Sequence, residues 1–397
     1  MLKSSPVSTI SMFAVLVAAT IVLSIISVTI WGGKPETIPK PKQLTISEEM
    51  TLQDFGKINE LPNHALKEIF TLQQKSDLQK NLSEFGSDAQ IKALVIKKLA
   101  LVAEHETKNW KKIVIKFAAW FTALAGIFFL FRKQKVSPSK RKLALLFSIL
   151  VFGVVLGADP SPMGTVKDAI HLFATSGAIF PPRMIALTIF LLLVFLANKY
   201  ICAWGCQVGV LQDLIFRLNQ NDKYHAVIGK QLKLPFIFTN GIRITFLVLF
   251  TMAAFAWGSD IIEPFDPFKF YKPMHLGIVG IVFVTGLLVL SLFVYRPWCH
   301  LFCPFGLAGW LIEKISLNKV SVDYETCIAC GKCETACPST VMGAILHRDK
   351  KTIPDCFSCY VCRDVCPTES IRFSTRKRTL PPSGHFDKKQ RMHNKTS

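Results

Sequence analysis

Six long apolar stretches recur along the chain, at roughly 9–31, 113–131, 143–158, 184–201, 236–257 and 277–295. Most approach the ~20 residues that an α-helix needs to cross ~30 Å of hydrocarbon, and the third is the shortest. The pattern predicts a polytopic α-helical membrane bundle of about six spans. The first stretch follows Lys3, is too long for a signal-peptide core and meets no small-x-small cleavage site before Trp31, so it reads as a retained signal anchor over 1–31. Between the first two stretches the pattern changes. Residues 32–112 open on Pro35, Pro39 and Pro41 and then read as short amphipathic helices. Leu52-Gln-Asp-Phe55-Gly56 is echoed thirty residues later by Leu82-Ser-Glu-Phe85-Gly86, which suggests a small helical repeat. Leu52, Phe55, Ile58, Leu61, Leu66, Ile69 and Phe70 fit the apolar positions of a helix–turn–helix-sized unit.

The bundle, 113–317, contains an internal repeat. Asp159-Pro160, an apolar span and then Lys199, Cys202, Cys206 and Gly209 are matched by Asp266-Pro267, a span and then Arg296, Cys299, Cys303 and Gly306. The basic residue, both cysteines and the glycine are all offset by 97, and an amphipathic stretch follows each copy. This predicts a duplicated two-helix hairpin packed about a pseudo-twofold axis. On one helix, positions i and i+4 share a face, so each C-x3-C pair is expected to present both thiols together.

All 12 cysteines fall in four short motifs. Besides Cys202, Cys206, Cys299 and Cys303, there are two C-x2-C-x2-C-x3-C-P runs: Cys327, Cys330, Cys333, Cys337 and Cys356, Cys359, Cys362, Cys366. Zinc ribbons use paired ligands, whereas a three-plus-one run closed by proline suits two 4Fe–4S clusters in a small α+β ferredoxin-like domain over 318–375. In that arrangement each run lends its last cysteine to the other cluster. The expected ligand sets are therefore Cys327, Cys330, Cys333 with Cys366, and Cys356, Cys359, Cys362 with Cys337. If Cys202, Cys206, Cys299 and Cys303 converge, they make a third site for a metal, a cluster or a redox-active dithiol. Their other reading is as small buried residues at helix ends.

Charge adds an orientation. Half the residues are hydrophobic, with 31 Phe, and the net charge is +20. The link 132–142 carries six Lys or Arg and no acid, and 372–397 carries eight against Asp387 alone. The loops 159–183 and 258–276 are balanced by Asp159, Asp168, Asp260, Glu263 and Asp266. By the positive-inside rule the basic segments, both termini and the ferredoxin-like domain are cytoplasmic, on the reducing side. The basic excess serves membrane topology and anionic lipid, and nucleic acid is not an expected partner. Residues 376–397 read as a basic flexible tail. The same topology places the C-x3-C motifs at the cytoplasmic membrane face.

Over roughly 140–375 the paired C-x3-C motifs, the Asp-Pro turns and the appended two-cluster runs resemble the membrane polyferredoxins of the NapH, MauN and NosR type. The resemblance implies a prokaryotic inner-membrane iron–sulfur protein, usually a quinol dehydrogenase component that serves a periplasmic or membrane redox partner or supports metalloenzyme maturation. Gln207 stands where that family usually has proline. Segment 32–112 is too short for the flavin domain of NosR relatives, and it reads as a docking module or as a cap on the bundle. If quinol reacts at the outer loops, Asp159, Asp168, His171, Glu263, Asp266 and His275 are the available proton acceptors. The leading expectation is electron transfer between the quinone pool and a respiratory partner. The alternatives are copper or thiol reduction at the C-x3-C sites and redox sensing.

Overall fold

The computed structural model describes residues 5–31, 44–47, 50–61, 63–72, 74–133, 136–221, 223–347, 353–375 and 378–386. Lys3, Pro35, Pro39, Pro41, part of the basic link and most of the basic tail, with Asp387, lie outside these residues. In chain order the helices are α1 (Pro6–Trp31), α2 (Leu52–Ile58), α3 (Asn63–Phe70), α4 (Asp88–Glu106), α5 (Trp110–Lys133), α6 (Pro138–Ser148, continued as a π-helix over Ile149–Val155), α7 (Pro162–Ser176) and α8 (Pro181–Ala197). They continue as α9 (Tyr200–Trp204), α10 (Gln207–Leu218), α11 (Phe236–Trp257), α12 (Ile278–Leu290), α13 (Pro297–Leu301) and α14 (Pro304–Glu313). A two-stranded antiparallel sheet, β1 (Lys319–Val322) and β2 (Ile371–Ser374), encloses α15 (Lys332–Ala336), α16 (Val341–Leu346) and α17 (Val361–Asp364).

Among the described residues, α1, α5 and α11 are long and apolar enough to cross a membrane. Helix α1 is apolar all round, with Val7 and Ile30 both 77% exposed, which suits lipid contact and not a water-facing surface. Helices α8 and α12 are apolar but shorter, at 17 and 13 residues.

Segment 44–106 folds around its own core of Leu52, Phe55, Leu66, Ile69, Phe70, Leu78, Leu82, Ile91 and Val95. Its two echoing segments pair with each other. Leu52 N–H donates to Lys80 O at 3.1 Å and Leu82 N–H to Met50 O at 2.9 Å across an antiparallel bridge between Thr51 and Asn81. Ile58, expected inside, is 54% exposed. The buried face of α2 runs through Leu52, Phe55 and Gly56, and Ile58 sits well round the helix from that face at about 100° per residue. The unit rests on the bundle: Ala100, Leu101 and Trp110 pack on Leu172, Ala178 and Phe180, and Arg183 pairs with Glu104.

Both C-x3-C segments turn back inside the bundle. As the chain advances from α9 its contacts climb α5. Tyr200 Oη donates to Leu124 O at 3.1 Å, and Trp120 Nε1 donates to Gly205 O at 3.0 Å. Helix α10 then descends until Leu218 O accepts from Thr9, near the start of α1, at 3.5 Å. The second copy rises along α11, with Arg243 Nη1 donating to Cys299 O at 3.3 Å and the Phe246 and Phe302 rings 5.3 Å apart. It returns through α14. Trp120 lies ten residues into α5 and Phe246 ten into α11, so each turn sits about 15 Å from a helix end at 1.5 Å per residue.

Each motif is therefore enclosed by the bundle, with all four thiols buried. The apolar runs do not end where the charges begin. They reverse at Asn198 (φ 57°) and Arg296 (φ 47°), left-handed residues that send Lys199 and Arg296 inward. Both cations are fully buried. Non-helical backbone inside an apolar bundle is tolerated where protein surrounds it.

Candidate iron–sulfur and thiol site

The ferredoxin-like segment brings its eight cysteines into two groups. Cys327, Cys330, Cys333 and Cys366 line one cavity of about 340 Å³. Cys337, Cys356, Cys359 and Cys362 line another of about 380 Å³. The grouping is crossed, with each run contributing its last cysteine to the other cavity. The two loops share one backbone solution. Ala329 (φ 53°) and Gly331 (φ 67°) in the first are matched by Ser358 (φ 50°) and Tyr360 (φ 62°) in the second. Left-handed residues on either side of the middle cysteine turn three sulfurs toward a common centre. Gly331 does this without steric cost, whereas Tyr360 is held there by rings, with Phe373 at 4.4 Å and Tyr200 at 6.3 Å.

Electrostatics tests whether these residues suit a cluster. Burial pushes the Cys333 thiol up to about 12, and the neighbouring Cys366, Cys327 and Cys330 add to the rise. Burial likewise raises Cys337, Cys356 and Cys362. At Cys366 burial is outweighed by hydrogen bonds from Thr368 and from the backbone N–H groups of Ser370, Thr368 and Ile371, and the thiol falls below its ordinary value. The raised thiols among them ionise readily only when a positive centre joins them, and an iron–sulfur core would supply that charge. Among the described residues no three His, Cys, Asp or Glu side chains close to the spacing of a single metal ion. The cysteine groups and their cavities fit 4Fe–4S clusters.

Cys202 and Cys299 lie in α9 and α13, while Cys206 and Cys303 stand at the N-terminal ends of α10 and α14. Each pair therefore straddles a break between two helices and does not share one helix face as expected. Cys206 N–H returns to Ile201 O at 2.8 Å, and Cys303 N–H to Trp298 O at 3.0 Å. Gln207 keeps the same bend that Pro304 supplies in the second copy, with its amide donating to Ala158 O at 3.3 Å. The four thiols are buried, and Cys299 Sγ donates to Gln212 Oε1 at 3.9 Å.

The two copies clasp each other. Lys199 of the first donates to Gly306 O of the second at 2.6 Å, and Arg296 of the second donates to Cys202 O of the first at 2.5 Å. A Cβ on Gly209 would come within 2.7 Å of Cys202 O, and one on Gly306 within 2.7 Å of Cys299 O, so the glycines admit the facing carbonyls. Asp213 balances Arg296 at 2.6 Å, and Asp355 balances Lys199 at 2.7 Å and Arg243 at 2.9 Å.

Asp355 belongs to the ferredoxin-like segment, directly before Cys356. The loop behind it enters the bundle. Phe357 is 4% exposed, with Arg296 4.9 Å and Lys199 5.4 Å from its ring centre. Cys356 N–H donates to Glu313 at 3.0 Å, Trp204 Nε1 to Ser358 O at 3.4 Å, and Arg141 bonds Cys359 O and Asp364. Sequence reasoning missed Asp355, Glu313, Arg141 and Arg243. At Glu313 and Arg243 the available signal was a charge inside an otherwise apolar segment, whereas Arg141 and Asp355 stand among other polar residues and gave none.

The candidates of the 159–183 and 258–276 loops do not form one site. Asp159 and Asp168 line one cavity. His171 Nε2 meets Gly258 O at 3.3 Å, Glu263 pairs with Lys269, Asp266 accepts from Phe268 N–H at 2.9 Å, and His275 closes a short 3₁₀ turn.

Comparison with known proteins agrees with this geometry. A 4Fe-4S dicluster domain matches residues 319–367, and a 4Fe-4S binding domain matches twice, over 179–232 and 276–322, around the two C-x3-C copies. The chain is 30% identical over 213 residues to an Escherichia coli protein named "Putative electron transport protein YccM", spanning 50% of this chain and 58% of that one. It is 22% identical over 211 residues to an uncharacterized Methanocaldococcus jannaschii protein, covering 52% of this chain and 84% of the relative. A ferredoxin of Methanothermococcus thermolithotrophicus is 40% identical over 57 residues, which are 13% of this chain and 92% of the ferredoxin. No solved structure matches the chain. These likenesses and the grouped cysteines support 4Fe–4S clusters and a kinship with iron–sulfur electron-transfer proteins.

Proposed function

We propose that this chain is a multi-pass inner-membrane electron carrier of the NapH, MauN and NosR type, exchanging electrons between the quinone pool and a periplasmic or membrane redox partner. In this reading six segments span the membrane, counting the two shorter helices and the π-continued α6, and the two C-x3-C hairpins are related by a pseudo-twofold axis. The domains run 1–31, 32–112, 113–317, 318–375 and 376–397, with the ferredoxin domain and both termini cytoplasmic. Cys327, Cys330, Cys333 and Cys366 hold one 4Fe–4S cluster, and Cys356, Cys359, Cys362 and Cys337 hold the other.

One observation carries the reading. The Cys356–Cys359 loop is plugged into the bundle by Phe357, between the two cations that clasp the membrane thiol hairpins. The clusters supply one-electron storage without bond making. The chain supplies position and insulation. Lys199, Arg243 and Asp355 fix the loop against the bundle, Phe357 and Trp204 exclude water from the junction, and the reversing hairpins hold Cys202, Cys206, Cys299 and Cys303 at mid-depth. These four form a third redox site in the proposal, which shortens the path between the two faces. The N-terminal unit 44–106 acts as a cap, since its contacts go to the bundle.

The test is iron content and EPR of anaerobically purified protein, before and after adding a reduced naphthoquinone. Eight irons with quinol-induced cluster signals support a two-cluster conduit, and twelve place a cluster at the membrane thiols. Signals that only dithionite elicits overturn quinol oxidation.

A second reading rests on the Cys299–Gln212 hydrogen bond, which uses Cys299 as a protonated donor. In it the membrane cysteines act as a dithiol that reduces copper or a partner's disulfide during metalloenzyme maturation. Eight irons with copper(I) binding lost in Cys202→Ala or Cys299→Ala favours it.

A further inference from the structure

The outer end of the bundle holds a cavity of about 510 Å³, bounded by the start of α5, the Asp159–Ser161 turn, α7 and the start of α8. Trp110, Phe117 and Phe180 make apolar walls, and Glu104, Asp168 and Arg183 converge on it. Arg183 is 8% exposed and pairs with Glu104 and, at 3.4 Å, with Asp168, both through Nη2. Its other terminal nitrogen, Nη1, is buried and has no hydrogen-bond partner among the described residues. A buried guanidinium N–H left unpaired is costly, and a ligand oxygen is the group that would satisfy it.

The cavity also touches the thiol hairpins. Phe117, in its wall, stacks on Phe190 at 5.7 Å and meets Trp120 at 5.6 Å. Trp120 donates to Gly205 O, directly before Cys206, and Phe190 meets Phe305, two residues after Cys303, at 6.2 Å.

We propose that this cavity binds the ring of a membrane quinone in either redox state. The assignment rests on the quinone-exchange reading above and gives it a place. A ring between Trp110, Phe117 and Phe180 presents a carbonyl oxygen that accepts from Arg183 Nη1. In the hydroquinone state the same oxygen carries a hydroxyl that donates to the Asp168 or Glu104 carboxylate. Apolar walls, one unpaired donor and adjacent acceptors are what a molecule alternating between carbonyl and hydroxyl requires. The occupant is at the outer end of the bundle, away from the ferredoxin segment.

The test uses an azido-naphthoquinone photolabel on the full chain in lipid nanodiscs, with peptide mapping. Label is expected on segments 104–117 and 159–186, competed by unmodified naphthoquinone. Ala186→Phe fills the cavity and Arg183→Leu removes the donor, and each is expected to cut labelling at least tenfold with the wild-type iron content retained. Labelling confined to other segments, or unchanged in Ala186→Phe, overturns the proposal. Quinol-driven cluster reduction is read separately on the same samples. Reduction without cavity label keeps the quinone reading and sinks this site, whereas cavity label without reduction keeps the site and sinks that reading.

Discussion

Replacing Asp355 by asparagine tests how the ferredoxin segment is joined to the bundle. The carboxylate is 1% exposed and faces two buried cations, Lys199 at 2.7 Å and Arg243 at 2.9 Å. The amide keeps the shape but leaves both cations without their counter-charge in a dry interior. Breaking a buried pair of this kind costs about 3–5 kcal/mol. At about 1.4 kcal/mol per tenfold, the open state of the junction rises by roughly two to three and a half powers of ten. Hydrogen exchange read by mass spectrometry on the segment around Phe357 reports that opening directly. The expected result is exchange faster by at least a hundredfold in Asp355→Asn, with β1 and β2 unchanged. The control is Asp323→Asn. Its partner Arg372 is 62% exposed at 3.5 Å, and surface pairs contribute only about 0–1 kcal/mol. Exchange in Asp355→Asn within threefold of wild type would refute the claim that this ion cluster holds the junction.

Three further outcomes are expected. Gly209→Ala and Gly306→Ala each place a methyl 2.7 Å from a facing carbonyl and should cost about 1–3 kcal/mol by overpacking, seen as a lower Tm. Gly126→Ala, with nothing within 4 Å, should be neutral or slightly stabilising in the same assay. Gly331→Ala forces a side chain onto φ 67° and should cost about 1–2 kcal/mol, with faster iron loss to a chelator as the readout. Reconstituting the metal-free protein at pH 7 should release protons, up to about four for each set of four cysteines. The sign follows from the raised thiols, which are protonated when empty and ionised when ligating, and calorimetry in two buffers of different ionisation enthalpy measures the number.

The chemistry was more legible in the sequence than the architecture. Cysteine spacing is set by the size of what the sulfurs would hold, so the crossed grouping of Cys337 and Cys366 could be named before any fold was known. The repeat was equally visible, because Lys199, Cys202, Cys206 and Gly209 recur intact 97 residues later. The reversals were not. Hydropathy averages over a window and cannot register a turn at Asn198 or Arg296, and nothing local marks a buried cation whose counter-charge is far along the chain. Gln207 departs from the family's usual proline, yet its amide bonds to the 157–158 turn and holds the bend that proline makes in the second copy. Ile58 failed for a smaller reason, since a seven-residue helix gives periodicity too few turns to fix a face.

The pairing of Lys199 with Asp355 also has a consequence in time. The two residues are 156 positions apart, and at about 5–20 residues per second synthesis of the intervening chain takes roughly 8–30 s. Through that interval Lys199 waits for Asp355, and Arg243 waits through the last 112 residues of it. The first hairpin therefore lacks this ion pair until the segment around Asp355 has left the ribosome. Closure of the membrane part is thereby tied to arrival of the segment that carries the second cysteine run, and a truncated product lacking it would retain a loose, degradable bundle in place of a finished but idle one.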